Sequence, residues 1–506
     1  MIPPHLRSLF ESCPAAHDAV PCPTRAPSPA TPAEFLQGQL PLLLSSPATS
    51  EQYFSRLEDR ILPGIVNIRS PRFIGHMTSP LPLVYERLND YLVTWNQNLV
   101  KLETSGFLTT LEMQLLAELH QLFFDAPEEF YSQYALDAES SLGIVTTGGT
   151  LANITALWVA RNRALAIEED PFYLEQQGLN AGLKKHDFEG AVVIGSELMH
   201  YSFDKAADLM GLGVRNLVKV PTNASHQMKI NALKDAIRNS HRRHLKILAI
   251  IGIAGTTDSG VIDPLDEIAD IAQEEGIWFH VDAAWGGPYV FSDKTKPLLK
   301  GIERADSITI DGHKQLYTPL GIGCLLFKDP HASLVIQKNA PYILREGAPD
   351  LGKRSLEGSR PASSLYIHAA FQMIGRDGYR SLLEHGLENT QAFATMIKEH
   401  PSFELLLQPV TNILLYRFIP KDLRDAAREA RLTNDEQTRI SEINVALQNK
   451  LREKGDAFVS RTILSATPKY GRKHLTSLRA ILANPLTEVS DLAKVLSTQE
   501  QLGDLL

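Results

Sequence analysis

The sequence predicts an α/β protein: a central, mostly parallel sheet flanked by helices, with a helical N-terminal segment before it and a small α+β domain after it. Three observations carry this. Between about Ser141 and Phe327, short apolar runs alternate with helix-like segments, the pattern of strands covered by helices. Those runs are continuously apolar, as strands buried on both faces require. The 506-residue length, with 43% hydrophobic and 22% charged residues, allows a large packed core with appendages and excludes disordered or collagen-like classes.

Along the chain, the prolines of Val20–Phe35 remove backbone donors and favour extended conformations, so this stretch reads as a flexible arm. From about Pro41, apolar residues recur at three- and four-residue spacing through YERLNDYLVTWNQ and FLTTLEMQLLAELHQLFF, which predicts helices. Candidate strands are Ala191–Ile194, Ile247–Ile253, Ile277–Val281, Ser307–Ile310 and Gly323–Phe327. One connecting helix is well punctuated. Asp263 can cap it, Pro264 suits its first turn, Leu265, Ile268 and Ile271 mark the inward stripe, and Gly276 can stop it. The C-terminal part mixes helices such as Asn434–Lys454 with strand-like pieces such as ILLYRF. The expected division is 1–95 for the arm and N-terminal helices, 96–375 for the large α/β domain, and 376–506 for the small domain.

Charge and cysteine usage narrow the partners. A net charge of −9 argues against nucleic acid or an anionic membrane surface, both of which attract basic proteins. Cys13, Cys22 and Cys324 fit neither a disulfide framework nor a paired zinc spacing, so a cytoplasmic location and no metal are expected. The start, MIPPHLRSLFESCP, lacks the apolar stretch of a secretory signal, and no run of about 18 apolar residues marks a membrane span.

In an open α/β sheet, ligands gather at the carboxyl ends of strands, so polar residues just past strand candidates come first. After LGIV, Gly148, Gly149 and Thr150 precede a helix, and a glycine turn with free N–H groups suits a phosphate, though many such turns are only structural. In IWFHVDAAWGG an apolar strand delivers Asp282, a carboxylate that needs a cation or hydrogen-bond donors if buried. SITIDGHKQLY places His313 and Lys314 past another strand. Most lysines are surface charges, whereas one that forms a Schiff base must be partly desolvated. SELMHYSFDKAA offers His200 and Ser202, and a lone histidine is often a scaffold residue. One cofactor needs all four places at once. Pyridoxal phosphate requires a lysine for its aldehyde, a carboxylate for its ring nitrogen, a flat group over the ring and a phosphate cup. Lys314, Asp282, His200 and Gly149–Thr150 supply one candidate for each.

The same ordered segments, HVDAAWGG, the His313–Lys314 pair, HYSFDKAA, GTTDSGVIDPL, TLEMQLLAELHQLF and GGTLANITALWVAR, resemble the group II pyridoxal-phosphate-dependent amino-acid decarboxylases. These are relatives of glutamate, cysteine-sulfinate and aromatic-amino-acid decarboxylases. The DxHKQLY form around the lysine is similar to the bacterial aspartate 1-decarboxylase branch. The resemblance implies a fold type I architecture, a homodimer with its site near the interface, and an amino-acid substrate. It implies that Lys314 carries the cofactor, Asp282 faces the ring nitrogen, His200 and Ala284 cover the two ring faces, and Gly149, Thr150, Ser202 and His313 lie near the phosphate. Thr256 would sit near the phenolic oxygen, Arg360 would orient the substrate α-carboxylate, and Tyr342 in NAPYI is the candidate proton donor. His76 and Thr78 lie in the segment expected to line the side-chain pocket. Asp311 departs from the asparagine of the animal enzymes; a carboxylate is a poor phosphate ligand, so it is expected to face elsewhere. The implied activity is aspartate to β-alanine, with glutamate to γ-aminobutyrate as the alternative and cysteine sulfinate or an aromatic amino acid as further ones. A carbon–carbon lyase on the same scaffold is a different class. A non-enzymatic scaffold would lack one of Lys314, Asp282 or His200, and all three are present.

Overall fold

The computed structural model describes residues 2–11, 44, 46–62, 65–170, 173–340 and 347–506. The expected arm at 20–35, Cys13, Cys22 and Tyr342 lie outside the described residues. The chain forms two compact units, Val84–Leu383 and a second that combines Met1–Leu83 with Glu384–Leu506.

The unit Val84–Leu383 is built on seven strands: β1 (Gly143–Thr146), β2 (Gly190–Ser196), β3 (Leu217–Val220), β4 (Leu245–Ile253), β5 (Phe279–Asp282), β6 (Ser307–Asp311) and β7 (Gly323–Phe327). Their order is β1-β7-β6-β5-β4-β2-β3. Strands β3, β2, β4, β5 and β6 pair in parallel, and β7 runs antiparallel to both β6 and β1. β1 therefore points the same way as the parallel set. All five expected strands form, with ends shifted by a few residues at most. β1 and β3 were not among them; in β3 an exposed Lys219 interrupts the apolar run.

The helix Gly149–Ala164 crosses this sheet and is buried on more than one side. Ile154, Leu157 and Ala160 pack with Val193, Ala249 and Ile251, while Ala152, Ala156 and Val159 pack with Ile144, Leu325 and Phe327. A helix enclosed in this way has no polar stripe, so its apolar residues are spread round its circumference. Each large apolar side chain buried here contributes about 1.5–3 kcal/mol.

The helix Leu265–Glu275 has the expected inward stripe, and Gly276 ends it with φ 62°. Its expected cap is corrected. The Asp263 carboxylate turns away from the helix and accepts from the backbone N–H groups of Met228 (2.8 Å) and Ile253 (3.1 Å), tying the end of β4 to a neighbouring loop. Burial pushes its pKa up to about 7, against the pull of those two N–H donors.

In the second unit, β8 (Phe403–Leu407), β9 (Ile413–Phe418), β10 (Ser460–Leu464) and β11 (Leu475–Ile481) form an antiparallel sheet in the order β10-β11-β9-β8. The helix Asn434–Lys454 begins at a Thr433–Glu436 capping box and ends at Gly455 in a left-handed conformation. The N-terminal residues group with this sheet in place of standing alone. Ile74 donates to the Phe458 carbonyl, accepts from Ile481 N, and packs among Leu414, Tyr416 and Leu478. Among the described residues, no helix is long and apolar enough to cross a membrane.

Replacing Asp263 by alanine orphans two buried N–H groups, at a cost of about 1–3 kcal/mol each. The expected outcome is a lower urea midpoint for Asp263→Ala with an unchanged denaturant slope.

Candidate active site

Strands β1, β2, β4, β5 and β6 point the same way, so their carboxyl ends reach one edge of the sheet. That edge receives the Gly148–Gly149 turn after β1, His200 and Ser202 after β2, Thr256 after β4, Asp282 at the end of β5, and Asp311, His313 and Lys314 at the end of β6.

Asp282 is 6% exposed and is held by neutral donors. Asn153 Nδ2 donates to Oδ2 at 3.0 Å, and the Ala284 backbone N–H donates to Oδ1 at 3.1 Å. Asn153 also donates to Ser202 Oγ (3.0 Å), and its own Oδ1 lies 3.1 Å from His280 Nε2. His280 Nδ1 is 2.8 Å from Ser307 Oγ, which accepts from Trp278 Nε1 at 3.0 Å. Donors and acceptors then have one consistent order. Ser307 accepts from Trp278 and donates to His280 Nδ1; His280 Nε2–H donates to the Asn153 carbonyl oxygen, which leaves the Asn153 amide to donate to Asp282 and Ser202. Burial pushes the His280 pKa down to about 3, which keeps this ring neutral.

Ser202 passes the order on to His200, whose Nδ1 lies 2.9 Å from Ser202 Oγ and accepts from the Ser202 backbone N–H at 3.2 Å. Nδ1 is thus an acceptor, and the proton sits on Nε2. Burial lowers the His200 pKa; Asp282 opposes this and Lys314 reinforces it.

The turn before the Gly149–Ala164 helix is tightly built. Gly148 has φ 99°, a conformation that favours glycine. Gly323, at the start of β7, lies so close that a Cβ there would come within 2.7 Å of the Gly148 carbonyl carbon. Thr150 is half-buried in the first helical turn. Asp311 faces this turn, which corrects the expectation that it faces elsewhere. Its Oδ1 accepts from Gly149 N–H at 2.5 Å, and its Oδ2 pairs with Lys314 Nζ at 2.9 Å. His313 Nδ1 donates to the Ile322 carbonyl at 2.9 Å and lies 3.7 Å from Asp311.

Other expected residues are placed differently. The Thr256 hydroxyl closes its own loop, with Ser259 Oγ at 2.8 Å and the Val261 N–H donating to it at 3.2 Å. Both terminal nitrogens of Arg360 are taken by Glu112, which is fully buried. Burial would lower the Arg360 pKa, but the charge and hydrogen bonds of Glu112 outweigh it and raise it. A two-point clamp by Arg360 on a substrate carboxylate would require breaking this ion pair. His76 and Thr78 belong to the other unit, where His76 Nδ1 lies 2.9 Å from Thr78 Oγ1. Asn153, His280 and Glu112 were not among the expected residues. Their signal was present, as polar side chains inside the apolar segments LANITALWVA, IWFHVD and LEMQLLAEL.

The donor set fits pyridoxal phosphate. A side-chain-free glycine turn at a helix N-terminus suits a phosphate, an amine at Lys314 suits an aldehyde, and a buried carboxylate at Asp282 suits a protonated ring nitrogen. This is the arrangement of an α/β enzyme built around that cofactor.

The comparisons agree. Residues 34–419 match the model of the pyridoxal-dependent decarboxylase conserved domain. The chain is 41% identical over 475 residues to the aspartate 1-decarboxylase of Aliivibrio fischeri, covering 93% of this chain and 86% of that one. It is 26% identical over 468 residues to an L-2,4-diaminobutyrate decarboxylase of Acinetobacter baumannii, covering 90% and 85%. The crystal structure of mouse CSAD superposes with a TM-score of 0.83 at 24% identity, over 96% of this chain and 95% of that one, a likeness of fold. The chain belongs to the group II pyridoxal-phosphate-dependent decarboxylase family, and is an amino-acid carboxy-lyase with pyridoxal 5'-phosphate as its cofactor.

Asn153→Ala removes a donor to a buried carboxylate, an interaction of about 1.5–3 kcal/mol, so kcat/KM is expected to fall roughly tenfold to a hundredfold in a decarboxylation assay. Glu112→Ala strands a buried guanidinium and is expected to cost about 3–5 kcal/mol in a denaturant titration.

Proposed function

We propose that the protein decarboxylates L-aspartate to β-alanine and CO2. The observation that carries this is the likeness, along nearly the whole chain, to the Aliivibrio fischeri aspartate 1-decarboxylase. In the reaction the bond from Cα to the α-carboxyl carbon breaks, CO2 leaves, and a proton takes its place on Cα. When bound, pyridoxal phosphate supplies an electron-accepting ring for the pair left behind.

The chain's residues divide the work as follows. Lys314 would hold the cofactor through its aldehyde. Asp282, kept in place by Asn153 and Ala284, favours the protonated ring nitrogen by its opposite charge. His200 would cover one face of the ring and Ala284 the other. A neutral His200 suits this role, because a cationic imidazole would repel a protonated ring. Gly149, Thr150, Ser202 and His313 would hold the phosphate, and Thr256 is the candidate for the phenolic oxygen. Arg360 is the candidate for the α-carboxylate, a contact for which its fork would have to leave Glu112. His76 and Thr78 line the side-chain pocket, and Tyr342 returns the proton to Cα. The working enzyme is a cytoplasmic homodimer, supported by the family resemblance.

Purified protein with cofactor is expected to release CO2 from aspartate at least about ten times faster than from glutamate, cysteine sulfinate, diaminobutyrate or tyrosine at equal concentration. Turnover confined to tyrosine or tryptophan would sink the acidic-substrate reading. Lys314→Ala is expected to lose both the lysine-dependent visible absorbance and turnover; a variant that kept both would remove the cofactor assignment.

A further inference from the structure

Asp311 occupies the two groups that the cofactor needs. Its Oδ1 takes the Gly149 N–H at the start of the Gly149–Ala164 helix, and its Oδ2 takes the Lys314 amine. The side chain is only 5% exposed, so water does little to screen it. Space at the turn is tight as well: a Cβ on Gly149 would stand 3.0 Å from each Asp311 carboxylate oxygen.

We propose that Asp311 is a placeholder in the phosphate cup. It caps the helix and anchors Lys314 until the cofactor arrives, and thereafter its negative charge weakens the cup's hold on the phosphate. The inference rests on the assignment of Gly149 and Lys314 given above and adds a residue that sets cofactor affinity.

The physical argument has two parts. An N-terminal N–H of a buried helix needs an acceptor, and a buried carboxylate needs donors, so the Asp311–Gly149 contact satisfies both. A phosphate is a stronger and more highly charged acceptor for the same N–H groups. When it binds, Asp311 must give up that donor while remaining close to a second anion, and like charges at short range disfavour each other. The Lys314 amine, 2.9 Å from Asp311, offsets that charge only until it is taken by the aldehyde. An amide of the same size at position 311 keeps the packing and removes the charge.

The test compares two probes on the full-length protein stripped of cofactor. Pyridoxal 5'-phosphate and pyridoxal share the ring and aldehyde and differ in the phosphate. Any effect of position 311 through the Lys314 amine is therefore common to both, and the ratio of their dissociation constants isolates the phosphate cup. For Asp311→Asn this ratio is expected to shift at least about tenfold in favour of the phosphorylated probe, equivalent to about 1.4 kcal/mol. Asp311→Ser, a smaller neutral residue, is expected to shift it in the same direction, and it serves if the asparagine variant fails to fold. The stripped variants are also expected to melt at a lower temperature than the stripped wild type, because Lys314 has lost its partner. A ratio that is unchanged, or that moves against the phosphorylated probe, overturns the proposal. Failure of the underlying assignment looks different: Lys314→Ala would then develop the same absorbance with pyridoxal 5'-phosphate as the wild type.

Discussion

Two carboxylates, Asp282 and Asp311, end neighbouring strands β5 and β6 inside the protein, and a buried carboxylate has to find donors. Both find them on one helix. Asp311 takes the backbone N–H of Gly149, and Asp282 takes the side chain of Asn153, four residues later. Residues four apart lie on the same face of a helix, so the helix is pinned to the sheet at two points one turn apart. Much of the site follows from this double attachment. It fixes the glycine turn against β7, presents the Asn153 amide to Ser202, and through Ser202 orients His200.

Pinning by a side-chain amide works only if the amide cannot turn over. The chain from Trp278 through Ser307 and His280 to Asn153 prevents this, since the Asn153 oxygen is committed to a ring N–H and the nitrogen is left to donate. A protonated His280 would donate from both nitrogens, so the Ser307 hydroxyl would have to accept from both His280 and Trp278 and turn its own proton elsewhere. Its depressed pKa, caused by complete burial, is therefore part of the site's construction. Hydrogen-bond order reaches His200 through neutral side chains, and the acidic and basic groups beside it are Asp282, Asp311 and Lys314.

Elsewhere charge is paired inside the protein. Glu112 and Arg360 form a buried pair, in which removing one partner costs far more than the pair contributes. The resemblance alone had assigned Arg360 to a substrate carboxylate. In the structure that fork is engaged by Glu112, 248 residues away, a partner that no motif contains. Asp263 makes the same point. In the sequence it stands where a helix cap belongs, yet its oxygens reach backbone N–H groups of Met228 and Ile253, one of them 35 residues away.

What the sequence alone determined was much of what depends on local pattern. The continuous apolar runs announced the doubly covered strands, the helical periods announced Phe107–Phe124 and Asn434–Lys454, and Gly149, His200, Asp282 and Lys314 could be picked out because each stands at or just past the end of a strand. The acceptors and partners of those groups were decided only by tertiary structure. The Gly149–Asp311 contact spans 162 residues, that of Asn153 with Asp282 spans 129, and that of Arg360 with Glu112 spans 248. The grouping of Ile74 with Phe458 and Ile481 was hidden for the same reason. A periodicity reports which face of an element is buried. Which donor meets which carboxylate is set by strand order and by the direction of the helix between them, and no window along the chain contains both ends of such a bond.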